Sequence, residues 1–208
     1  MNEILIYEDI GQDWFGDGVT ALSIKDQLDK ISGDVTVRIN SPGGDVFDGF
    51  AIYNLLAAHD GQINVVVDGL AASAASTIAM AGDTITMSDN ALMMIHDPWS
   101  FAVGNAADMT KTAELLDKIK GSIVKTYQSH SGLDESEISE LMTAETWLSA
   151  DEAIEKGLAT EKTESTVSIS NIDKRWIKNA PPPDKIKDDE QTQTMWRVAL
   201  NKRRISIL

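Results

Sequence analysis

Short runs of apolar residues alternate along this chain with longer segments in which apolar residues recur every three or four positions. The short runs are typical of strands and lie at residues 3–10, 35–39, 63–67, 84–87 and 91–95. The longer segments have helical spacing and lie at residues 19–31, 46–59, 71–81, 105–128, 135–142 and 149–156. Strands that alternate with helices in this way predict βαβ units and a largely parallel sheet, and therefore an α/β fold.

The longest helical segment, 105–128, carries a single apolar stripe that is longer than a domain of this size needs. Its members are Ala106, Met109, Ala113, Leu116, Ile119, Ile123 and Tyr127. Two shorter helices have clear start signals, because acidic residues follow Asp134 and because Ser149 precedes Glu152 by three positions in a capping-box pattern. Gly157 is placed to end the second of these helices.

The apolar periodicity fades after residue 161, and the charge changes sign near the same point. Residues 1–163 hold 27 acidic and 9 basic residues, a net charge of −18, whereas residues 164–208 hold 6 acidic and 9 basic residues, a net charge of +3. Three prolines at 181–183 are typical of a stiff linker, and residues 195–208 are typical of a short basic amphipathic segment or a mobile tail. We therefore predict a domain over 1–163 and a C-terminal tail over 164–208.

The composition excludes several classes of function. The chain has no cysteine, which excludes disulfides, thiol catalysis and thiolate metal sites. A formal net charge of −15 argues against a general nucleic-acid binder, and the three histidines show no metal-ligand spacing. The first residues lack the pattern of a signal peptide, and no apolar stretch is long enough to cross a bilayer, so we expect a cytoplasmic protein.

Candidate chemistry centres on Ser73, which lies where the third predicted strand gives way to an alanine-rich helix. A serine there can present its hydroxyl at the sheet edge near the positive end of a helix, or can simply be a small residue among alanines. His96 ends an apolar strand and is the candidate base, unless it is a histidine bonded to a backbone carbonyl. Gly43 and Gly44 form a turn whose N–H groups could face an oxyanion. Together these features favour nucleophilic catalysis by serine.

The acid that would orient His96 has two candidates, Glu145 and Asp97. Asp97 is the neighbour of His96 in the sequence, but adjacent residues on a strand point to opposite faces. This geometry favours Glu145.

Four motifs, taken in order, resemble those of the proteolytic subunit of the Clp protease. They are NSPGG at 40–44, GLAAS at 69–73, MIHDP at 94–98, and LSADEA at 148–153 followed by GL at 157–158. Three further segments are similar to the ClpP-like proteases of phages and prophages, which often act in head maturation: GDG at 16–18, GNAAD at 104–108 and ETW at 145–147.

The resemblance implies a catalytic site. Ser73 would be the nucleophile and His96 the base, and Glu145 falls at the position of the family's usual aspartate. The N–H groups of Gly44 and Ala74 would form the oxyanion hole. The reaction would be peptide-bond hydrolysis through an acyl-enzyme, with no metal or organic cofactor.

The resemblance also implies the ClpP/crotonase fold, with stacked ββα units and a projecting handle helix at 105–128. Gly43, Asp45, Val46 and Trp99 would flank an extended substrate strand by β-augmentation. The family's handle helices pack one ring against another. We therefore expect a ring homo-oligomer, a heptamer or a stacked double heptamer, acting on peptides or on a capsid or scaffold protein.

Neither a nucleic acid nor a membrane is expected as a partner. We also expect no Clp ATPase partner, because the first strand begins at about Glu3 and the family's N-terminal extension and early helix have no counterpart here. Three alternatives stay open: a housekeeping Clp subunit that works with an ATPase, a crotonase-like acyl-CoA enzyme, and an inactive ring-forming assembly protein.

Overall fold

The computed structural model describes residues 2–12 and 18–163, which form an α/β fold around a seven-stranded sheet. The strands are β1 (Asn2–Ile6), β2 (Val35–Ser41), β3 (Ile63–Ala72), β4 (Thr84–Ser88), β5 (Leu92–Ile95), β6 (Thr146–Ser149) and β7 (Glu161–Thr163). Five lie parallel in the order β1-β2-β3-β4-β7. β5 pairs parallel with the end of β3 and antiparallel with β6. The prediction of a largely parallel sheet is confirmed.

Six helices accompany the sheet in the described residues. They are α1 (Ala21–Leu28), α2 (Val46–Ala57), α3 (Ala74–Ala79), α4 (Ala106–Ser131), α5 (Glu135–Thr143) and α6 (Ala150–Glu155). The predicted start signals are confirmed, because Asp134 caps α5 and Ser149 forms a capping box with Glu152 at the start of α6. Gly157, with a φ of 70°, follows α6 where its end was predicted.

One face of the sheet supplies the core. Along β2 the alternate residues Val35, Val37 and Ile39 are fully buried, as the pleat of a strand requires. Apolar residues of β1, β3, β4, α1, α2 and α3 belong to the same buried cluster. The helices therefore cover this face, whereas Leu5, on the other face of β1, remains half-exposed.

β3 changes partner along its length and so carries the chain to the candidate site. It pairs with β4 through residues 64–67 and with β5 through residues 70–72. The sequence predicted a helix from residue 71 to 81, but Ala71 and Ala72 are strand residues and α3 is correspondingly short. Tertiary pairing with β5 here overrides the strong helix propensity of alanine.

α4 is the long helix that the sequence predicted, and its second half alone is buried. Asn105 caps its start, and Gly132, with a φ of 73°, ends it. Its buried side chains are Ile119, Ile123, Val124 and Tyr127. Nearer its start, Met109 and Leu115 are substantially exposed. A helix of 26 residues is roughly 39 Å long, so its first half extends beyond the core.

Two other predictions need correction, and two strands were not predicted. The first strand ends at Ile6 rather than at residue 10, because Ile10 leaves the sheet to form isolated bridges with Val19 and Gly44. The first helix, predicted over 19–31, is confined to α1. β6 and β7 were not predicted, since strands this short show too little alternation to be recognised.

Two predictions fall wholly or partly outside the described residues. The turn predicted at 16–18 includes residues 16 and 17, and the C-terminal tail at 164–208 lies entirely outside them. Within the described ranges, no helix is both long enough and apolar enough to cross a membrane.

Candidate active site

Ser73 occupies the junction of β3 and α3 in a strained backbone conformation. Its φ of 55° and ψ of −124° lie outside the regions that residues other than glycine ordinarily adopt. Such a conformation costs on the order of 1–3 kcal/mol and persists only where the surroundings hold it. Here the Ser73 N–H donates to the Met94 carbonyl at 2.9 Å, which ties the junction to β5. A serine on a sharp, strained strand-to-helix turn is the arrangement of a nucleophile elbow.

His96 directly follows β5, and its ring reaches Ser73. The His96 Nε2 atom lies 2.8 Å from Ser73 Oγ, within hydrogen-bonding distance. The pairing of β3 with β5 places Ala72 opposite Met94 and so brings together two residues that are 23 positions apart. A serine and a histidine at this distance have the geometry of a nucleophile and its base.

The glycine turn after β2 packs directly against the junction. Gly43 has a φ of 95°, and a Cβ there would lie only 2.7 Å from the Ser73 Cβ and 2.9 Å from the Ala74 nitrogen. The Ile10 N–H donates to the Gly43 carbonyl at 2.8 Å and holds the turn in place. Within the described residues, the N–H groups of Gly44 and Ala74 donate no hydrogen bond. Two backbone N–H groups without an acceptor among the described residues therefore belong to residues that line the same cavity as Ser73.

These groups face one cavity of about 650 Å³. Its lining contains eight of the nine residues that the sequence predicted for the site: Gly43, Gly44, Asp45, Val46, Ser73, Ala74, His96 and Trp99. Side chains of α2 and α4, among them Phe50, Leu116 and Ile119, add an apolar wall. The described lining holds two carboxylates, those of Asp9 and Asp45, and no lysine or arginine.

An exposed apolar segment adjoins the cavity at residues 99–103. Trp99 is 68% exposed, Phe101 90% and Val103 99%. The Trp99 and Phe101 rings meet edge to face with their centroids 5.5 Å apart. In the isolated chain, this segment leaves a large apolar surface uncovered at the mouth of the cavity.

Glu145 is the one predicted site residue that does not line the cavity. Its carboxylate is exposed and accepts a long hydrogen bond, 3.4 Å, from Trp147 Nε1. No hydrogen bond joins it to His96 within the described residues. The backbone nevertheless places the two residues near each other: β5 and β6 pair Ile95 with Thr146, so the next pair beyond the ladder is His96 and Glu145.

Asp97, the alternative acid, is engaged elsewhere. Lys120 Nζ donates to Asp97 Oδ2 at 3.0 Å and makes an ionic contact of 2.8 Å with Oδ1, at an angle that is not that of a hydrogen bond. Thr143 Oγ1 also donates to Oδ2 at 3.0 Å. Asp97 therefore joins the end of β5 to α4 and α5, and it makes no hydrogen bond to His96 within the described residues.

Comparison with known proteins gives a consistent result. The sequence model of the Clp protease family matches residues 1–165. The chain belongs to the Clp protease family. The ATP-dependent Clp protease proteolytic subunit of Bacteroides fragilis is 32% identical over 130 residues, which cover 62% of this chain and 63% of that protein. The subunit of the same name from Porphyromonas gingivalis is 29% identical over 127 residues, which cover 60% of this chain and 57% of that protein.

A solved structure agrees with this assignment. A mutant of ClpP1 from Listeria monocytogenes matches with a TM-score of 0.69 and 27% identity, covering 79% of this chain and 92% of that one. The fold is therefore that of ClpP, as the sequence motifs implied. The chain spans about three fifths of the length of the curated Clp relatives that it matches.

Four residues that the sequence did not assign to the site contact the elements that carry it in this Clp protease domain. Lys120 holds Asp97, and the buried hydroxyl groups of Tyr127, Ser76 and Thr77 meet below the junction. Tyr127 was predicted only as the last apolar member of the α4 stripe. Burial raises the pKa of its phenol.

A metal site is not apparent in the described part of the chain. Nowhere in it do three carboxylate or imidazole side chains come close enough together to hold a metal ion. The cavity lining includes a serine hydroxyl, an imidazole and two backbone N–H groups without an acceptor among the described residues, groups that acyl-transfer chemistry uses.

Proposed function

We propose that this chain is a serine endopeptidase with Ser73 as nucleophile and His96 as general base. The observation that carries the proposal is the 2.8 Å contact between Ser73 Oγ and His96 Nε2. His96 takes the hydroxyl proton as Oγ attacks the carbonyl carbon of the peptide bond. The protonated ring then gives that proton to the leaving amine, and water hydrolyses the acyl-enzyme by the same route.

The oxyanion of each tetrahedral intermediate is bound by the N–H groups of Gly44 and Ala74. Support for this comes from three observations: Gly44 and Ala74 line the same cavity as Ser73, Gly43 packs against Ser73 and Ala74, and the two N–H groups have no acceptor in the described residues. One such donor is typically worth about 3 kcal/mol in the transition state. The dipole of a backbone N–H is fixed in advance, so it needs no reorganisation during the reaction.

Glu145 is the acid that we propose for His96. The β5–β6 register places its backbone opposite that of His96, and a change of side-chain rotamer, with loss of the weak contact to Trp147, would turn the carboxylate toward the ring. The engagement of Asp97 by Lys120 and Thr143 supports the same choice. In this role Glu145 would orient the ring and stabilise the imidazolium.

The substrate is proposed to lie as an extended strand between the glycine turn and the segment at 99–103. Gly43, Asp45 and Val46 would contact one side of it and Trp99 the other, and all four line the cavity. The apolar wall from α4 favours an uncharged side chain next to the cleaved bond. The two carboxylates of the lining disfavour an acidic one.

We also propose that the chain works as a ring homo-oligomer, heptameric or stacked in pairs, with the exposed half of α4 as the contact between rings.

The setting that we propose is phage or prophage head maturation in the bacterial cytoplasm, acting on a capsid or scaffold protein without a Clp ATPase. Its support is the likeness to phage proteases at 104–108 and 145–147. A second candidate is a subunit that works with an ATPase, which the names of the curated relatives favour.

A single labelling experiment tests the peptidase activity. Wild type and Ser73→Ala are treated with a fluorophosphonate probe, and the modified residue is located by mass spectrometry. We expect Ser73 to be labelled and unfolded peptides to be cleaved without ATP. An acyl-CoA enzyme or an inactive assembly protein would show neither result.

Two further measurements test the assembly and the partner. Sedimentation at micromolar concentration is expected to show a ring, and a fully active monomer would contradict it. Adding a host unfoldase, ATP and a tagged folded substrate separates the two settings. ATP-dependent loss of that substrate would favour the housekeeping alternative.

A further inference from the structure

A buried hydroxyl network lies beneath the Ser73 junction and outside the proposed catalytic groups. Tyr127 OH is 2.8 Å from Ser76 Oγ and 3.3 Å from Thr77 Oγ1. All three side chains are at least 96% buried. A buried polar group is costly unless it is hydrogen-bonded, so these contacts hold one another in place.

The hydroxyl network also contacts two backbone carbonyl groups at the β3–α3 junction, those of Ser73 and Met94. Ser76 Oγ lies 2.6 Å from the Ser73 carbonyl oxygen and 2.9 Å from the Met94 carbonyl oxygen. The Met94 carbonyl also accepts the Ser73 N–H at 2.9 Å. The backbone of Ser73 is therefore tied to β5 twice, directly through its N–H and indirectly through its carbonyl and Ser76.

The direction of the hydrogen bonds follows from the number of protons. Ser76 has one hydroxyl proton, which it donates to the carbonyl oxygens, so its lone pairs are left to accept from Tyr127. Tyr127 thus fixes the rotamer of Ser76, and Ser76 holds the carbonyl of Ser73. The chain of contacts runs from α4 through α3 to β5, the strand that His96 follows.

We propose that Tyr127 and Ser76 are positioning residues that keep the strained Ser73 backbone aligned with His96. This inference rests on the proposed peptidase function. Ser76 is fully buried and its hydroxyl is committed to backbone carbonyls, so it is not a second nucleophile. Tyr127 is among the residues that line the cavity, but it is 1% exposed and its hydroxyl lies against Ser76 and Thr77. Their role is to keep the Oγ–Nε2 distance short.

The test compares Tyr127→Phe and Ser76→Ala with matched controls. Each variant removes one oxygen atom and leaves the packing nearly unchanged. Tyr53→Phe is the control for the tyrosine, because Tyr53 is partly buried on α2 and away from the cavity lining. Ser122→Ala is the control for the serine, because among the described residues its hydroxyl bonds only to the Lys118 carbonyl within α4.

We expect both network variants to lower kcat and the fluorophosphonate labelling rate by about tenfold, since small misplacements of reacting groups are costly, while KM stays within about twofold. The double variant is expected to lose little more than either single one, because the two residues act in series. The controls are expected to match wild type. Network variants that lower the melting temperature but keep the wild-type kcat and labelling rate would overturn the proposal and leave only a structural role.

A crystal structure of Tyr127→Phe gives a readout that does not depend on activity. We expect the Ser73 Oγ–His96 Nε2 distance to lengthen beyond 3.5 Å or to split between two conformers. An unchanged distance of 2.8 Å would refute the positioning role even if the protein has no peptidase activity. Wild-type protein that is neither labelled nor active, with the distance lengthened in the variant, would instead refute the peptidase function alone.

Discussion

Replacing Gly43 by alanine tests how closely the glycine turn must approach the nucleophile. A Cβ at this position would lie 2.7 Å from the Ser73 Cβ, 2.7 Å from the Ala72 carbonyl oxygen and 2.9 Å from the Ala74 nitrogen. Non-bonded carbon atoms are at their best separation near 3.5–4.0 Å, so the turn must retreat by about 1 Å. All three neighbours belong to the junction itself, and none is the flexible end of a long side chain.

The retreat moves the Gly44 N–H away from the position proposed for the oxyanion. Loss of one such donor costs about 10²–10³ in kcat, and a 1 Å misplacement alone can cost about 10²-fold. We therefore expect Gly43→Ala to lower kcat by about 10²-fold or more with little change in KM. A further cost of about 1–2 kcal/mol in folding stability comes from placing a Cβ at a positive φ of 95°.

Gly33→Ala is the matched control. Gly33 has a similar φ of 80°, but a Cβ there would meet no heavy atom within 4 Å. It therefore carries the conformational cost without the clash. Steady-state hydrolysis of an unfolded peptide and urea unfolding of both variants separate the two effects. If Gly43→Ala and Gly33→Ala lose stability equally and both retain wild-type kcat, the close approach of the turn is not needed for catalysis.

Three other variants test the remaining parts of the site and the fold. Glu145→Gln is expected to lower kcat by about 10²-fold or more without unfolding the protein, because the imidazolium loses its proposed partner; unchanged turnover would reassign the acid. Asp97→Asn is expected to lower the melting temperature by weakening the contact with Lys120 while kcat changes little, and a collapse of kcat at unchanged stability would make Asp97 the acid. Burial lowers the pKa of His130, so the unfolded chain binds a proton that the folded one does not, and stability is lost as the pH falls below about 6.5. The melting temperature is expected to drop between pH 7.5 and pH 5.5 in wild type and to drop less in His130→Gln; equal drops would exclude this histidine as the cause.

The sequence predicted the starts of those helices that have a capping side chain. Asp134 and Ser149 cap their helices where expected, because side-chain capping depends only on residues a few positions apart. The boundary between β3 and α3 was misplaced because Ala71 and Ala72 have helical propensity, yet pair with β5 residues that lie about 20 positions away. Strand pairing between residues so far apart in the sequence produces no local sequence pattern, so it could not be predicted.

The hydrogen bond between Tyr127 and Ser76 shows a second limit of prediction from sequence. The apolar stripe on α4 identified Tyr127 as buried, which is correct. Periodicity describes which face of a helix is covered, but it does not specify the partner of a hydroxyl group. The partner here, Ser76, lies 51 positions earlier in the chain, and only the packing of α4 on α3 brings them together.

Ser73 and Glu145, the predicted nucleophile and the predicted acid, share an unusual backbone conformation. Among the described residues other than glycine, only Ser73 and Glu145 have a positive φ, 55° and 49° respectively. Neither a serine nor a glutamate has an intrinsic preference for that conformation, so each is held there by its surroundings. At Ser73 the hydrogen bonds that hold it are visible, and they run to β5 and to α3. Glu145 ends its own strained turn directly opposite His96, one residue beyond the β5–β6 ladder, with its carboxylate bound only weakly by Trp147. The Ser73 hydroxyl contacts the His96 ring, and continuing the β5–β6 register by one residue pairs Glu145 with His96, which is the reason to test Glu145 before any other acid.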